Sequence, residues 1–526
     1  MTPELMARKT GKNATQALNE AKKAFLTEFK AKLIDIKSGK YICLMQEADA
    51  KNLALMPLDR IEVKNPKNGK KIVSLVDLTD SILKEKELGI FADVKEKLNA
   101  MEGQMLEVMP VERPQSLKLI KKKLKGQVLE KKELEQIVSD ISENKLSEIE
   151  TAAFVSAVYV HGLNLEETVY MTKALIKSGN QLKLTGTIVD KHSIGGLNGR
   201  VTMLVVPIIA CTGLKIPKTS SRSITSAAGT ADSMDVLANV SLSRKQIKQI
   251  TDKVGGVIAW GGAVDLAPAD DKIIKVEHPL SLDPEGQVIA SVMAKKASVG
   301  AKYVVIDLPV GKETKVKTIE AAESMAKKFV EVGKQLGMKV EAIITNGEEP
   351  SGPAFGPALE ARHVLRILEG KIYDNMAQKS VEISGALLEL SGKEKKGAGN
   401  NRALKILESG QALKKMKEII KAQGGKIYSS EEIPDAEFSY EVKSTRTGQL
   451  TQLDVWYLAQ TARLAGAPND MHAGVLLNVE EGEKVKKGDL MFTIYSNNRR
   501  KLNAAVKYAE SNRIIEMEKV VWKKIT

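Results

Sequence analysis

The chain has 526 residues, a formal net charge of +14 and a sequence pI of about 9.3. That length exceeds one hydrophobic core and predicts about three or four domains, while 43% apolar and 28% charged residues exclude a disordered or fibrous chain. The basic balance raises nucleic acid as a partner, but aromatics are only 4% of the residues and do not alternate with basic ones, which counts against a single-strand binding platform.

The first segment, MTPELMARKTGKNATQALNEAKKAFL, has no continuous apolar stretch of the kind a secretory signal needs. No later run reaches the length of a membrane span, so no membrane partner is expected. Cys43 and Cys211 each sit in an apolar run and read as free thiols in a reducing, cytoplasmic setting. His161, His192, His278, His363 and His472 show no ligand spacing, so no metal site is expected.

In chain order, residues 1–29 read as an amphipathic helical extension. Residues 30–113 change character: AKLIDIKSGKYICLM, DRIEVK and KKIVSLVDL are short β-type runs broken by Gly and Asn-Gly turns. A faint internal repeat pairs AKNLALMPLDRIEVK (50–64) with VKEKLNAMEGQMLEVM (94–109), each a helix-like piece, a turn and a strand. Two such halves predict a small pseudo-symmetric β barrel, similar to a double-psi barrel. Residues 114–184 read as a helical domain, with SEIETAAFVSAVYV and NLEETVYMTKALIKSG at helical spacing. A return of about 266–297 to that domain is expected from the resemblance given below.

Residues 185–435 alternate strand-like runs (TMLVVPIIACTG, GGVIAWGG, AKYVVIDLPVG, VEAIITNG) with helical ones (SRKQIKQITDKV, IEAAESMAKKFVEVGKQLG). That pattern predicts a large α/β domain with a mostly parallel sheet; residues 392–402 read as a loop within it. Residues 436–526 read as a C-terminal α+β domain with a helix over 499–513. The fold class is therefore multidomain α/β.

Two loops stand out. KHSIGG follows the short run TIVD and offers the Lys191 ammonium, the Ser193 hydroxyl, the exposable backbone of Gly195 and Gly196 and, further on, Thr202. These are the groups an oxyanion needs around it. It is neither a Walker loop nor a dinucleotide fingerprint. The second loop, TSSRSITSAAGTAD, supplies Ser220, Ser221, Arg222, Ser223, Thr225, Ser226 and Thr230. A hydroxyl-rich turn into a helix capped by Thr230 or Asp232 would look the same; a guanidinium inside a hydroxyl cluster favours phosphate.

KHSIGG, SSRSITSAAGTAD, WGGAVDLAPADD (260–271) and LSLDPEGQVIASVMAKK (280–296) together resemble the nucleoside phosphorylase-II family, that of thymidine and pyrimidine-nucleoside phosphorylases. The extra domain over 30–113 and EHPLSLDPEGQ resemble its AMP phosphorylase branch. The resemblance implies phosphorolysis of AMP, and of CMP and UMP, to free base and ribose 1,5-bisphosphate, with no cofactor. It implies AMP and inorganic phosphate as partners and a homodimer or higher homo-oligomer.

By the same resemblance, Lys191, Ser193, Thr202, Ser220 and Thr230 cradle inorganic phosphate. Gly195, Ser221, Arg222, Ser223, Ile224, Thr225, Ser226, Thr230, Ser291 and Lys315 contact the nucleotide, and Asp283 is the proton donor. The chain departs from the branch at GLNGRVT, where Asn198, Arg200 and Val201 stand in place of Pro-, Asn- and Lys-type residues.

On residues alone, Asp283-Pro-Glu-Gly fits a type I turn. As an acid, its carboxyl would need partial burial to hold a proton near neutral pH, and His192 is the other candidate acid. The alternatives are a thymidine or pyrimidine-nucleoside phosphorylase and, from another class, a non-catalytic nucleotide- or RNA-binding scaffold.

Overall fold

A computed structural model describes residues 26–195, 198–223 and 226–518. Most of the expected helical extension (1–25), Gly196, Ile224 and Thr225 lie outside the described residues. The chain forms two compact units. One holds the described residues up to Ala174 together with Ala269–Pro284, and the other holds Leu175–Pro268 and the chain from Glu285 onward.

The first unit opens with a closed six-stranded barrel. Its strands are β1 (Thr27–Ile34), β2 (Ile42–Gln46), β3 (Arg60–Lys64), β4 (Lys71–Thr79), β5 (Glu87–Phe91) and β6 (Met105–Val111), in the order β1-β5-β2-β4-β3-β6. β1 runs parallel to β5 and β2 to β4, whereas β2–β5, β3–β6, β1–β6 and β3–β4 are antiparallel. Exchanging β1 with β4, β2 with β5 and β3 with β6 maps this pairing onto itself. The faint repeat is therefore a two-fold pseudo-symmetry of topology, with α1 (Glu47–Asn52) before β3 and α2 (Ala92–Leu98) before β6.

Alternate residues Ile61 and Val63, Leu88 and Ile90, and Leu106 and Val108 are fully buried, as the two-residue strand period requires. β1 begins at Thr27, inside the segment expected to be helical. Its first residues pair antiparallel with Met105–Val108, and barrel closure outweighs local helical preference there.

Four helices follow: α3 (Ser116–Leu124), α4 (Lys131–Ser142), α5 (Glu148–His161) and α6 (Leu165–Ser178). α5 starts where the sequence signals it, at a reciprocal Ser147–Glu150 capping box.

The second unit carries β7 (Val189–Ser193), α7 (Val201–Ala210), β8 (Ile216–Ser220), α8 (Thr230–Asp235), α9 (Arg244–Val254), β9 (Gly256–Trp260), α10 (Pro268–Leu280, most of it in the first unit), α11 (Glu285–Ser298), β10 (Tyr303–Val310), α12 (Ile319–Gln335) and β11 (Lys339–Asn346). β11-β10-β7 and β8-β9 form two parallel ladders, linked by a parallel bridge between Ile188 and Lys215. All five strands run the same way, as the alternating pattern predicts.

TMLVVPIIACTG is not a strand. Val201–Ala210 is a helix in which every residue is buried. A helix that is apolar all round shows no period, so its sequence cannot be told from a buried strand.

The segment returning to the first unit is shorter than the expected 266–297. It ends at Pro284, and Lys272 Nζ caps the carboxyl end of α4 by donating to Ile141 O (3.1 Å) and Ser142 O (2.6 Å). α11 stays in the second unit, where its Lys296 pairs with Asp190 of β7.

β12 (Ala354–Phe355), α13 (Pro357–Leu368), α14 (Asn375–Leu390), α15 (Gly399–Glu408) and α16 (Gln411–Ala422) complete the α/β part. α15 begins inside the segment expected to be a loop, because Glu389 Oε1 accepts from Gly399 N (2.8 Å). The C-terminal part holds β13 (Phe438–Lys443), β14 (Gly448–Leu453), α17 (Val455–Ala465), β15 (Gly474–Leu477), β16 (Lys484–Val485), β17 (Leu490–Ser496), α18 (Arg499–Ser511) and β18 (Ile515–Met517). Its antiparallel sheets are β12-β15-β17-β13 and β16-β14-β18, so β12 belongs by pairing to the C-terminal layer.

Candidate active site

Because the five strands are parallel, the loops leaving their carboxyl ends share one edge. They begin at Ile194 after β7, whose last three residues are Lys191, His192 and Ser193, at Ser221 after β8, at Gly261 after β9 and at Gly311 after β10. The chain passes from β7 to β8 and β9 on one side, then returns to β10 and β11 on the other. The strand order therefore reverses between β7 and β8, the place in open α/β sheets where ligands bind. The two loops singled out in the sequence leave those two strands.

At the end of β7 a buried network spans three strands and α14. The β7–β10 register sets Ser193 opposite Asp307. Lys191 Nζ donates to Ser193 Oγ (2.9 Å), which donates to Asp307 Oδ2 (2.6 Å); Thr345 Oγ1 donates to Asp307 Oδ1 (2.6 Å). Lys379 Nζ lies 3.0 Å from Asp307 Oδ2 and 2.9 Å from Thr345 Oγ1.

One layer deeper, Asp190 takes Lys296 Nζ at 2.8 Å and Lys218 Nζ at 3.5 Å, and Lys218 also donates to Lys191 O (2.9 Å). Four lysines (191, 218, 296 and 379) thus face two aspartates (190 and 307), and burial, with repulsion from Lys296 and Lys191, pushes Lys218 well below the ordinary lysine range despite Asp190.

Burial is the largest influence on the Lys191 ammonium. Asp307 opposes it, and with Lys379 and Lys296 adding repulsion the pKa is brought down to about 8. Burial alone would raise the two aspartates. Lys218 and Lys296 instead hold Asp190 below the usual carboxylate range, and Lys379 and Lys191 do the same for Asp307. The cluster is a desolvated cationic site that an anion would complete.

His192 is half-buried among the same lysines. Burial, then Lys296, Lys218 and Lys191, push its pKa well below the ordinary value, so it is not an imidazolium at neutral pH. This removes the charged form in which it could serve as the alternative acid.

The second loop folds onto α8. A Cβ on Gly229 would fall 2.6 Å from Ser221 O and 2.7 Å from Ser223 N, so only glycine admits this crossing. Asp232 caps the turn from inside α8, accepting from Ser223 N (2.7 Å) and Gly229 N (2.8 Å). Thr230 is the first residue of α8 and not its cap.

Arg222, read as a guanidinium that favours phosphate, has partners within the protein in this structure. Its Nη1 donates to Asp232 (3.0 Å) and its Nη2 to Asp235 (2.7 Å), and it lies over the Trp260 ring at 5.3 Å. In this state it ties the loop to α8. Ser226 O accepts from Arg463 Nη1 of α17 (3.1 Å), so the far end of the loop is fixed by the C-terminal part.

Thr202 is buried as the second residue of α7, and Ser220 ends β8. Lys315, exposed in the loop after β10, places its Cε 3.9 Å from where a Cβ on Gly195 would stand; two residues far apart in sequence meet there. Ser291 is half-buried in α11.

Asp283 is exposed, so the partial burial expected of a neutral carboxyl is absent from this conformation. Glu285 and Gly286 already belong to α11, so Asp-Pro-Glu-Gly is a helix start and not a free turn.

Asn198 and Arg200 are both buried. Asn198 Nδ2 donates to Gly352 O and Ala354 O (2.9 Å each), and the Arg200 Nε pairs with Glu360. Asp190, Lys218, Asp307, Thr345 and Lys379 escape sequence reasoning: Asp190, Asp307 and Thr345 lie in runs read only as strands, and Lys218 and Lys379 in no motif.

Fold and strand-end loops define a transferase class. Residues 117–179 match the helical bundle domain of a glycosyl transferase family, residues 185–413 its a/b domain, and residues 450–516 a pyrimidine nucleoside phosphorylase C-terminal domain. AMP phosphorylase 1 of Archaeoglobus fulgidus is 44% identical over 497 residues, covering 94% of this chain and 98% of the relative. The AMP phosphorylase of Thermococcus kodakarensis is 44% identical, covering 94% and 99%. A solved anthranilate phosphoribosyltransferase from Thermus thermophilus superposes with a TM-score of 0.49 at 18% identity, covering 58% of this chain and 99% of that one. The chain is a pentosyltransferase of the phosphorylase kind, and it belongs to the AMP phosphorylase family.

Proposed function

We propose that this chain catalyses the phosphorolysis of AMP, with CMP and UMP as further substrates, to free base and ribose 1,5-bisphosphate. The observation that carries the reading is the excess of buried lysine over aspartate at the strand-order reversal, in a chain whose relatives named AMP phosphorylase align over nearly its full length.

Inorganic phosphate is held by Lys191, Ser193, Thr202, Ser220 and Thr230. A phosphate oxygen attacks C1′, the C1′–N bond breaks, and its electron pair leaves on the base. Asp283 supplies the proton that neutralises the departing base, a contribution of about 10²–10⁴-fold for a positioned acid. Gly195, Ser221–Ser226, Ser291 and Lys315 hold the nucleotide, with Lys315 at its 5′-phosphate. The proposed active species is a cytoplasmic homodimer or larger homo-oligomer.

The C-terminal match to pyrimidine nucleoside phosphorylases favours a second reading, a pyrimidine-nucleoside enzyme. One assay separates them: base release from AMP, CMP, UMP, adenosine, uridine and thymidine, each with and without inorganic phosphate. Phosphate-dependent release from the 5′-monophosphates ahead of the nucleosides is expected. Preference for uridine or thymidine over every monophosphate replaces the first reading with the second, and binding without turnover would make the chain a scaffold.

A further inference from the structure

The two loops of the site are joined by a carboxylate on a third element. Glu360 of α13 is 1% exposed, Arg200 8% and Ser233 not exposed at all. The Arg200 Nε donates to Glu360 Oε2, the same oxygen accepts from Ser233 Oγ (3.1 Å), and Oε1 accepts from Gly356 N (3.3 Å). Arg200 is the N-cap of α7, two residues before Thr202, and Ser233 lies one turn into α8, three residues after Thr230.

The segment just before α13, running into β12, grips the first loop at a second point. Asn198 Nδ2 donates to Gly352 O and Ala354 O, and Ser351 N donates to Asn198 Oδ1, each at 2.9 Å. Gly199, at φ 82°, lets this turn close, since a Cβ there would fall 2.1 Å from Ser351 O. The anchoring segment is itself fixed, because Ala354 and Phe355 pair with Val475 and Leu476 of the C-terminal sheet.

We propose that Glu360 is a positioning residue for phosphate, setting the spacing between Thr202 and Thr230 through Arg200 on one side and Ser233 on the other. The proposal rests on the phosphorolysis reading. A dry carboxylate bonded to both helix starts admits one separation of them; water in its place would admit many. Donors to a small tetrahedral anion must sit within a fraction of an ångström of their places, so a loosened spacing weakens phosphate and leaves groups that touch only the nucleotide alone.

The test compares the full-length wild type with Glu360→Gln, Arg200→Met, the double variant and Ser233→Ala. It reads thermal stability, phosphate affinity by calorimetry, and the KM values for phosphate and AMP. Glu360→Gln is expected to raise the phosphate KM about tenfold while the AMP KM and the kcat at saturating phosphate stay within about twofold. The double variant buries no orphan charge, so its melting temperature should recover towards wild type while its phosphate KM stays raised.

An unchanged phosphate KM in folded Glu360→Gln overturns the proposal. So does a phosphate KM that recovers together with stability in the double variant. Should Glu360→Gln fail to fold, Ser233→Ala removes one hydroxyl, whose other acceptor is Gly229 O at the start of α8, and is expected to raise the phosphate KM about threefold; no change there is equally fatal. A wild type that binds phosphate without consuming AMP overturns the reading of the reaction alone, and the variants are then judged on phosphate affinity. A wild type that binds no phosphate overturns both.

Discussion

Ser193 Oγ donates to Asp307 Oδ2 at 2.6 Å across 114 residues of sequence, and the same carboxylate oxygen takes Lys379 Nζ at 3.0 Å. Asp307 is 1% exposed, so its charge is stable only because these partners surround it. Asp307→Ala should leave the Lys191 and Lys379 ammoniums short of a counter-charge and destabilise the fold by about 3–5 kcal/mol. Chemical denaturation of the variant beside wild type checks this; a loss under about 1 kcal/mol would mean that the lysines find other partners.

Lys191 gives the site a pH dependence. With its pKa brought down to about 8, the ammonium is charged below that pH and neutral above it in the free chain. An anion prefers the charged form, so phosphate affinity should fall as pH rises through about 8, by up to about tenfold per pH unit. Lys191→Arg stays charged and should flatten this limb. Lys191→Ala should raise the phosphate KM about ten- to a hundredfold at pH 7, the cost of one charge-assisted contact. A phosphate KM that is flat from pH 7 to 10 in wild type would place the cradle elsewhere.

Asp283→Asn should lower kcat by about two orders of magnitude or more and leave the AMP KM within a few-fold, because an acid acts in the transition state. His192→Asn should leave the acidic limb of the kcat profile in place, since His192 is already neutral at pH 7. Near-normal turnover in Asp283→Asn would move the proton donor to another group or to solvent.

Lys315, in the loop after β10, brings its Cε within 3.9 Å of where a Cβ on Gly195 would stand, which suits it to the second anion of a nucleotide. Lys315→Ala should therefore weaken AMP by about ten- to a hundredfold and adenosine far less, narrowing the ratio of their kcat/KM values. Equal losses for both substrates would assign Lys315 to the ribose or the inorganic phosphate.

Much of this molecule is written locally. The Ser147 and Ser243 capping boxes, the alternation in β3 and β6 and the barrel's internal repeat all act over a few residues, and each marks its element in the sequence. The glycines and hydroxyls of the two loops are legible for the same reason, because a turn that exposes backbone N–H groups needs those residue types in a row.

What the sequence leaves open is decided by contacts between distant segments. Val201–Ala210 is apolar on every side, so only the surrounding core makes it a helix. The sequence shows the Arg222 guanidinium among hydroxyls but not that Asp232 and Asp235 are brought to it. Asp307 belongs to no motif and meets Ser193 and Thr345 only because β7, β10 and β11 lie parallel in one register, and Lys379 joins them from α14. Local pattern determines which elements form and which loops can receive an anion. Only the tertiary fold, by removing water from charges far apart in the chain and forcing them to pair, decides which lysines and aspartates gather beside those loops.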